Sequence, residues 1–92
     1  MSRIDQFVSI CETLRTIYIT KNADYGNSFD DTVREFGIVA AVVRMSDKME
    51  RLKTLSKTNA RVKGEAISDT LRDLANYAIM TLMAMEAKDG DL

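Results

Sequence analysis

Carboxylates recur at helical spacing in two apolar stretches of the chain. Asp47 and Glu50 stand three residues apart, and Glu65, Asp69 and Asp73 follow one another at intervals of four. These spacings place the acids of each set on one face of a helix. Hard divalent cations take oxygen ligands of this kind, with waters and substrate phosphates completing the shell. The two sets therefore predict a site for Mg²⁺, or for Mn²⁺ in its place.

Basic side chains accompany the first acidic set, and they are Arg44, Lys48 and Arg51. Arg and Lys at this position can neutralise phosphate oxygens that a metal leaves uncovered. A simpler interpretation is that Asp47 pairs with Arg51, and Asp69 with Arg72, as ordinary surface salt bridges. Spacing alone does not decide between the two interpretations.

The segment from Lys21 to Ser28 is a second candidate, because it combines a cation, an aromatic ring, amide groups and a glycine. Its proposed ligand-binding residues are Lys21, Asp24, Tyr25 and Asn27. A nucleotide could stack on Tyr25, accept a hydrogen bond from Asn22 or Asn27 and place a phosphate near Lys21. The more frequent explanation of such a sequence is a connection between helices, in which Asn, Asp and Gly form the turn.

Composition narrows the classes of function. The 92 residues predict a single domain, and a formal charge of −1 gives no basis for binding a nucleic acid polymer. There is no His and one Cys, so Ser-His-Asp catalysis and the usual His/Cys zinc sites are excluded. The first residues do not resemble a signal peptide, and no apolar run is long enough for a membrane. We therefore expect a cytoplasmic protein without a membrane partner.

Apolar spacing predicts an all-α protein, a small antiparallel bundle of three long helices and one short helix. Ser2 with Asp5 begins a helix that runs to about Lys21, and Ser28 begins a short helix that Gly37 ends. A third helix starts near Ile38. The fourth runs from about Glu65 to Ala87, with Leu71 on its core stripe and residues 89–92 as a frayed tail.

Two helical segments, residues 38–43 and 78–85, are apolar on nearly every side. A helix of this kind must be covered all round, and a four-helix monomer of this length cannot cover both. We expect a homo-oligomer, a dimer or higher, with these segments at the interface.

Three blocks of the sequence, Asp24 to Phe29, Arg44 to Leu52 and Glu65 to Tyr77, resemble the nucleotide modification associated domain 1 family of bacteria and phages. That family is in turn distantly similar to the MazG-like all-α nucleoside triphosphate pyrophosphohydrolases. The resemblance implies a helical oligomer that uses Mg²⁺ to split a deoxynucleoside triphosphate, which can carry a modified base, into monophosphate and pyrophosphate.

Carried over by position, the resemblance assigns catalytic roles to Asp47, Glu50 and Asp69, and metal binding to these three with Glu65 and Asp73. Phosphates would meet Arg44, Lys48 and Arg51, while base or sugar would meet Tyr25, Asn27 and Asn76. The superfamily usually has Glu-x-x-Glu and then Glu-x-x-Asp. Here the first pair begins with Asp47, and Glu65 and Asp69 are four residues apart.

Two further classes of function remain open. A phage protein without catalytic activity could use the same cleft to sequester a nucleotide, including a cyclic or ADP-ribose-type immune signal. A purely structural oligomer could assist a nucleotide-modifying enzyme, and would gain no thermal stability from any nucleotide.

Overall fold

The chain folds into four α-helices in a computed structural model, which describes residues 1–25, 27–57 and 63–87. The helices are α1 (Arg3–Tyr25), α2 (Ser28–Phe36), α3 (Val39–Ser56) and α4 (Lys63–Ala87). The described residues contain no strand, and α2 is the one short helix among these four. The predicted all-α class is confirmed, whereas the predicted frayed tail lies outside the described residues.

Helix α1 begins as predicted, because Ser2 and Asp5 form a reciprocal cap. The Ser2 hydroxyl accepts a hydrogen bond from the Asp5 N–H at 3.0 Å, and the Asp5 carboxylate accepts one from the Ser2 N–H at 3.4 Å. The helix ends later than predicted, at Tyr25 instead of about Lys21. The prediction of a connection starting at Lys21 was wrong, because the Lys21 side chain bonds to α4 and the backbone stays helical there.

The glycine that ends helix α2 was predicted, whereas the residue at its N-cap was not. It ends at Phe36, where Gly37 has a φ of 84° and its N–H bonds to the Val33 carbonyl at 2.7 Å. Glycine adopts this positive φ without steric cost, so the predicted stop is confirmed. The helix begins at Ser28, as predicted, although the residue at the N-cap position is Asn27 and not Ser28 itself.

Helices α3 and α4 are antiparallel and make the largest contact in the bundle. Arg51 lies beside Thr70, Lys48 beside Asp73, and Ala41 with Ala84 in the core, so positions rise along α3 as they fall along α4. Val33 of α2 completes that core, with Ala41 fully buried. Small side chains allow the helices to approach closely there.

Much of the apolar surface is not covered within one chain. On α1 the large apolar side chains are mostly exposed: Ile4 is 75% exposed and Phe7 70%, although Leu14 is buried. Leu71, expected in the core, is 49% exposed, and the buried α4 position beside it is Thr70. Among the described residues, no helix is both long enough and apolar enough to cross a membrane.

Candidate functional site

All four helices contribute to one cavity of about 450 Å³. Its lining residues are Tyr18, Lys21 and Asn22 of α1, Ser28, Phe29 and Thr32 of α2, Arg44 and Lys48 of α3, and Asp73, Asn76, Tyr77 and Met80 of α4. This size lies within the range of small-molecule sites, roughly 300–1,000 Å³. A bundle that brings charged, aromatic and amide side chains to one cavity can bind a ligand with both a charged and a flat part.

The charges of the cavity come from three helices. Lys21 of α1 and Lys48 of α3 both contact Asp73 of α4, with their ammonium nitrogens 3.0 Å from Oδ1 and 3.3 Å from Oδ2. Arg44 lies one turn before Lys48, and no acidic side chain of the described residues forms a salt bridge with it. Three cations and one carboxylate leave the lining with a formal excess of two positive charges, which favours an anionic ligand.

The two lysine partners of Asp73 stabilise its ionised form. Burial on its own raises the pKa of this carboxyl, but hydrogen bonds and charge from Lys21 and from Lys48 together outweigh burial and hold the pKa below the ordinary 3.8. The carboxylate therefore neutralises part of the lysine charge at neutral pH. It also joins α1, α3 and α4 at one point of the cavity wall.

An aromatic pair forms another part of the wall. The rings of Phe29 and Tyr77 lie with centroids 5.5 Å apart and planes tilted by 43°. Tyr18 and Met80, both partly buried, add apolar surface beside them. Flat apolar surface next to cations suits a heterocyclic base attached to a phosphate.

Two polar side chains of the lining are already engaged within the fold. The Asn76 amide donates a hydrogen bond to the backbone carbonyl of Leu14 at 3.2 Å. The Thr32 hydroxyl donates to the Ser28 carbonyl at 2.8 Å. Asn76 therefore helps to hold α1 against α4, and its amide nitrogen has one fewer hydrogen available for a ligand.

The structure brings together part of the predicted ligand set. Lys21, Arg44, Lys48 and Asn76 line the cavity. Arg51 lies elsewhere, since its Nε donates to the Thr70 hydroxyl at 3.1 Å, and Asn27 is exposed outside the lining. The predicted contacts of Asp24 and Tyr25 concern side chains outside those that the structure describes.

The predicted metal ligands are dispersed. Asp47 and Glu65 are exposed outside the cavity, Glu50 lies 3.2 Å from Lys53, and Asp69 lies 3.0 Å from Arg72. Asp73 is the one member that lines the main cavity, and it faces two lysines. Within the described part of one chain, no three acids are grouped closely enough to hold a metal ion. The predicted acids therefore do not form a metal cluster within the described part of one chain, and binding of Mg²⁺ stays a prediction.

Several cavity residues were not predicted as ligand contacts, and they are Tyr18, Ser28, Phe29, Thr32, Tyr77 and Met80. Phe29 and Tyr77 are apolar positions of helices, and such positions usually indicate core packing. The sequence did offer one indication of their role. Phe29 and Tyr77 are the last residues of two sequence blocks that also contain predicted polar ligands. Only packing α2 against α4 shows that the two rings meet.

The fold and the cavity define a small all-α protein with a cavity lined by cationic and aromatic side chains. The sequence matches the nucleotide modification associated domain 1 family over residues 21–85, and the chain belongs to that family. The matched part contains every cavity residue except Tyr18. Comparisons with curated proteins and with solved structures gave no match.

Proposed function

We propose that the chain binds a nucleotide in the cavity between the four helices. The observation that carries this proposal is the position of Arg44 and Lys48, one helical turn apart, in the same cavity as the Phe29 and Tyr77 rings. Two cations on successive turns can hold one phosphate group from one side. Membership of a family described by nucleotide modification supports the same ligand class.

In the proposed complex, a phosphate lies against Arg44, which forms no salt bridge with a described acid. Lys48 contributes the second contact, and the guanidinium of Arg44 can offer two parallel N–H groups to phosphate oxygens. The base lies on the apolar wall around Tyr77 and Phe29. The exposed faces of α3 and α4 support the further proposal that the protein is a homo-oligomer.

Binding is tested by calorimetry with deoxynucleoside mono- and triphosphates, in chelator and then with Mg²⁺. Arg44→Met should weaken binding about tenfold, because a charge-assisted hydrogen bond to phosphate is lost. Lys53→Met is the matched control, since Lys53 lies on the same helix, pairs with Glu50 and is outside the cavity. Equal affinity of wild type and Arg44→Met, or no binding of any nucleotide, contradicts the proposal.

Hydrolysis is a second candidate function. In this reaction water attacks the α phosphorus of a deoxynucleoside triphosphate and the α–β bond breaks, giving monophosphate and pyrophosphate. The favouring observation is that Glu65, Asp69 and Asp73 follow one another along α4, which packs on the α3 helix carrying Asp47 and Glu50.

Pyrophosphate release separates turnover from simple binding. A catalyst should release pyrophosphate with Mg²⁺ or Mn²⁺ and lose this activity in Asp69→Asn and in Glu50→Gln. A protein that only sequesters a nucleotide, including a phage protein that captures an immune signal, should return the ligand intact. It should also bind equally well in chelator, and Asp47→Ala should leave its affinity unchanged.

A further inference from the structure

The carboxylate of Asp73 forms salt bridges with both lysines that face the cavity. Its Oδ1 lies 3.0 Å from Lys21 and its Oδ2 lies 3.3 Å from Lys48, so each oxygen holds one ammonium group. It is the one carboxylate among the lining residues. A phosphate uses the same arrangement, with separate oxygens on separate cations.

From this geometry we propose that Asp73 is a built-in competitor for the anion that the cavity binds. This inference rests on the proposed nucleotide site and concerns its regulation. Without ligand, the carboxylate satisfies Lys21 and Lys48 and keeps the empty cavity from being strongly cationic. A phosphate that reaches either lysine meets a negative charge within a few ångströms of its own oxygens, so binding is an exchange of one anion for another.

The surroundings of Asp73 offer the displaced carboxylate another place. Lys21 and Asp73 line both the main cavity and a smaller recess of about 350 Å³, whose other lining residues are Ile17, Asp69 and Arg72. Asp73 therefore stands at the boundary between the two spaces. A change of side-chain rotamer can move its carboxylate toward the recess and leave the lysines to the ligand. Arg72, which pairs there with Asp69 at 3.0 Å, has further N–H groups to offer a second carboxylate.

A role for Asp73 in positioning the two lysines predicts the opposite effect on anion binding. If Asp73 only holds Lys21 and Lys48 in the right place, its removal should weaken anion binding, because both lysines become disordered. If it competes, its removal should strengthen binding although the empty protein becomes less stable. Stability and affinity then change in opposite directions, which a purely structural role does not produce.

The test measures binding of inorganic phosphate and of deoxyadenosine 5′-monophosphate to wild type, Asp73→Asn and Glu35→Gln, all in chelator. Asp73→Asn should bind both anions about tenfold more tightly than wild type, since one like charge near the ligand is removed. Glu35→Gln removes an exposed carboxylate of α2 outside both the cavity and the recess, and should stay within about twofold of wild type. Equal or weaker binding by Asp73→Asn overturns the inference. Failure of every protein to bind either anion instead overturns the proposed nucleotide site.

A measurement on the wild type covers the case in which Asp73→Asn does not fold. The side-chain carboxyl ¹³C signal of Asp73 is titrated with acid, with and without saturating sulfate, which remains a dianion in this pH range. Exchange of two lysines for one arginine that also pairs with Asp69 should raise the pKa of Asp73 above its value without sulfate. A pKa that sulfate leaves unchanged means that the lysines never leave Asp73, and the inference is wrong.

Discussion

The side-chain amide of Asn76 donates a hydrogen bond to the backbone carbonyl of Leu14, with the two atoms 3.2 Å apart. The bond joins α4 to α1 between residues 62 positions apart in the sequence. Leu14 is buried at the same place. Lys21, two turns after Leu14 on α1, and Asp73, one turn before Asn76 on α4, form the second polar connection between these helices. The α1 wall of the cavity is therefore held by one apolar anchor and two polar contacts.

Asn76→Ala should loosen α1 from α4. The expected loss is about 1 kcal/mol in the free energy of unfolding, because a partly buried hydrogen bond between helices is removed. Urea unfolding followed by circular dichroism measures the change, and hydrogen exchange should become faster in α1 around Leu14. Gln6→Ala, an exposed change near the start of α1, is the control and should leave both measurements unaltered. An Asn76→Ala protein as stable as wild type would show that the amide does not hold α1.

The Asp73 ion pairs should make stability depend on pH. Because the pKa of Asp73 is lowered in the folded chain, the carboxylate stabilises the fold fully above the unfolded value near 3.8 and loses this contribution as pH falls through the folded value. The difference in unfolding free energy between wild type and Asp73→Asn should be constant from about pH 7 to 5 and then shrink on further acidification.

Removal of both lysines provides the control for this pH dependence. In a Lys21→Met, Lys48→Met background, burial of Asp73 remains while the favourable charges are gone, so the trend should disappear or reverse. A wild-type trend that persists in this background must come from other groups and contradicts the assignment to Asp73.

Local sequence signals predicted most of the helix boundaries, since caps and apolar spacing act within a few residues. Ser2 with Asp5 and the positive φ of Gly37 are examples of such local control. The late end of α1 was not predictable in this way. Asn22 and Asp24 favour a turn, and the contact that stabilises the helix there comes from Asp73, about 50 residues away.

The sequence predicted those members of the candidate site whose chemistry alone suggests a ligand contact. Arg44 and Lys48 stood out as cations beside acids, and Lys21 as the cation of the segment from Lys21 to Ser28. All three line the cavity. The role of Asp73 was not visible from spacing, because its lysine partners lie on two other helices. The aromatic pair was missed for the same reason, since Phe29 and Tyr77 meet only through the packing of α2 on α4.

Thr70 should contribute to stability through its hydroxyl. It is 2% exposed, donates a hydrogen bond to the Ala66 carbonyl at 2.7 Å and accepts one from Arg51 Nε at 3.1 Å, which joins α3 to α4. Thr70→Val keeps the shape but removes the acceptor for Arg51. We expect a loss of about 1 kcal/mol and a fall in Tm of roughly 4–8 °C.

Thr81→Val is the matched control for this change. Thr81 is also buried on α4, but its hydroxyl donates only to the Tyr77 carbonyl of its own helix. Its replacement should therefore change Tm much less than Thr70→Val. Equal effects of the two variants in calorimetric melting would mean that the bond between Arg51 and Thr70 adds nothing to stability.

The exposed apolar faces of α3 and α4 lead to a prediction about assembly. Val39, Val42 and Val43 of α3 and Leu82 and Met85 of α4 are each at least half exposed within one chain. A surface of this kind is stabilised when a second copy covers it. Sedimentation equilibrium of the wild type at micromolar concentration should give the mass of a dimer or a higher oligomer, and a monomer throughout that range would contradict the prediction.

Val42→Glu should weaken this assembly by placing a charge inside the buried interface. The dissociation constant should rise by at least about tenfold, because a carboxylate without a partner is costly to bury. Thr54→Glu, an exposed change three turns further along α3, is the control and should leave the mass distribution unchanged. Circular dichroism should show the same helical content for both variants. If Val42→Glu stays as oligomeric as Thr54→Glu, the interface lies on another face of the bundle.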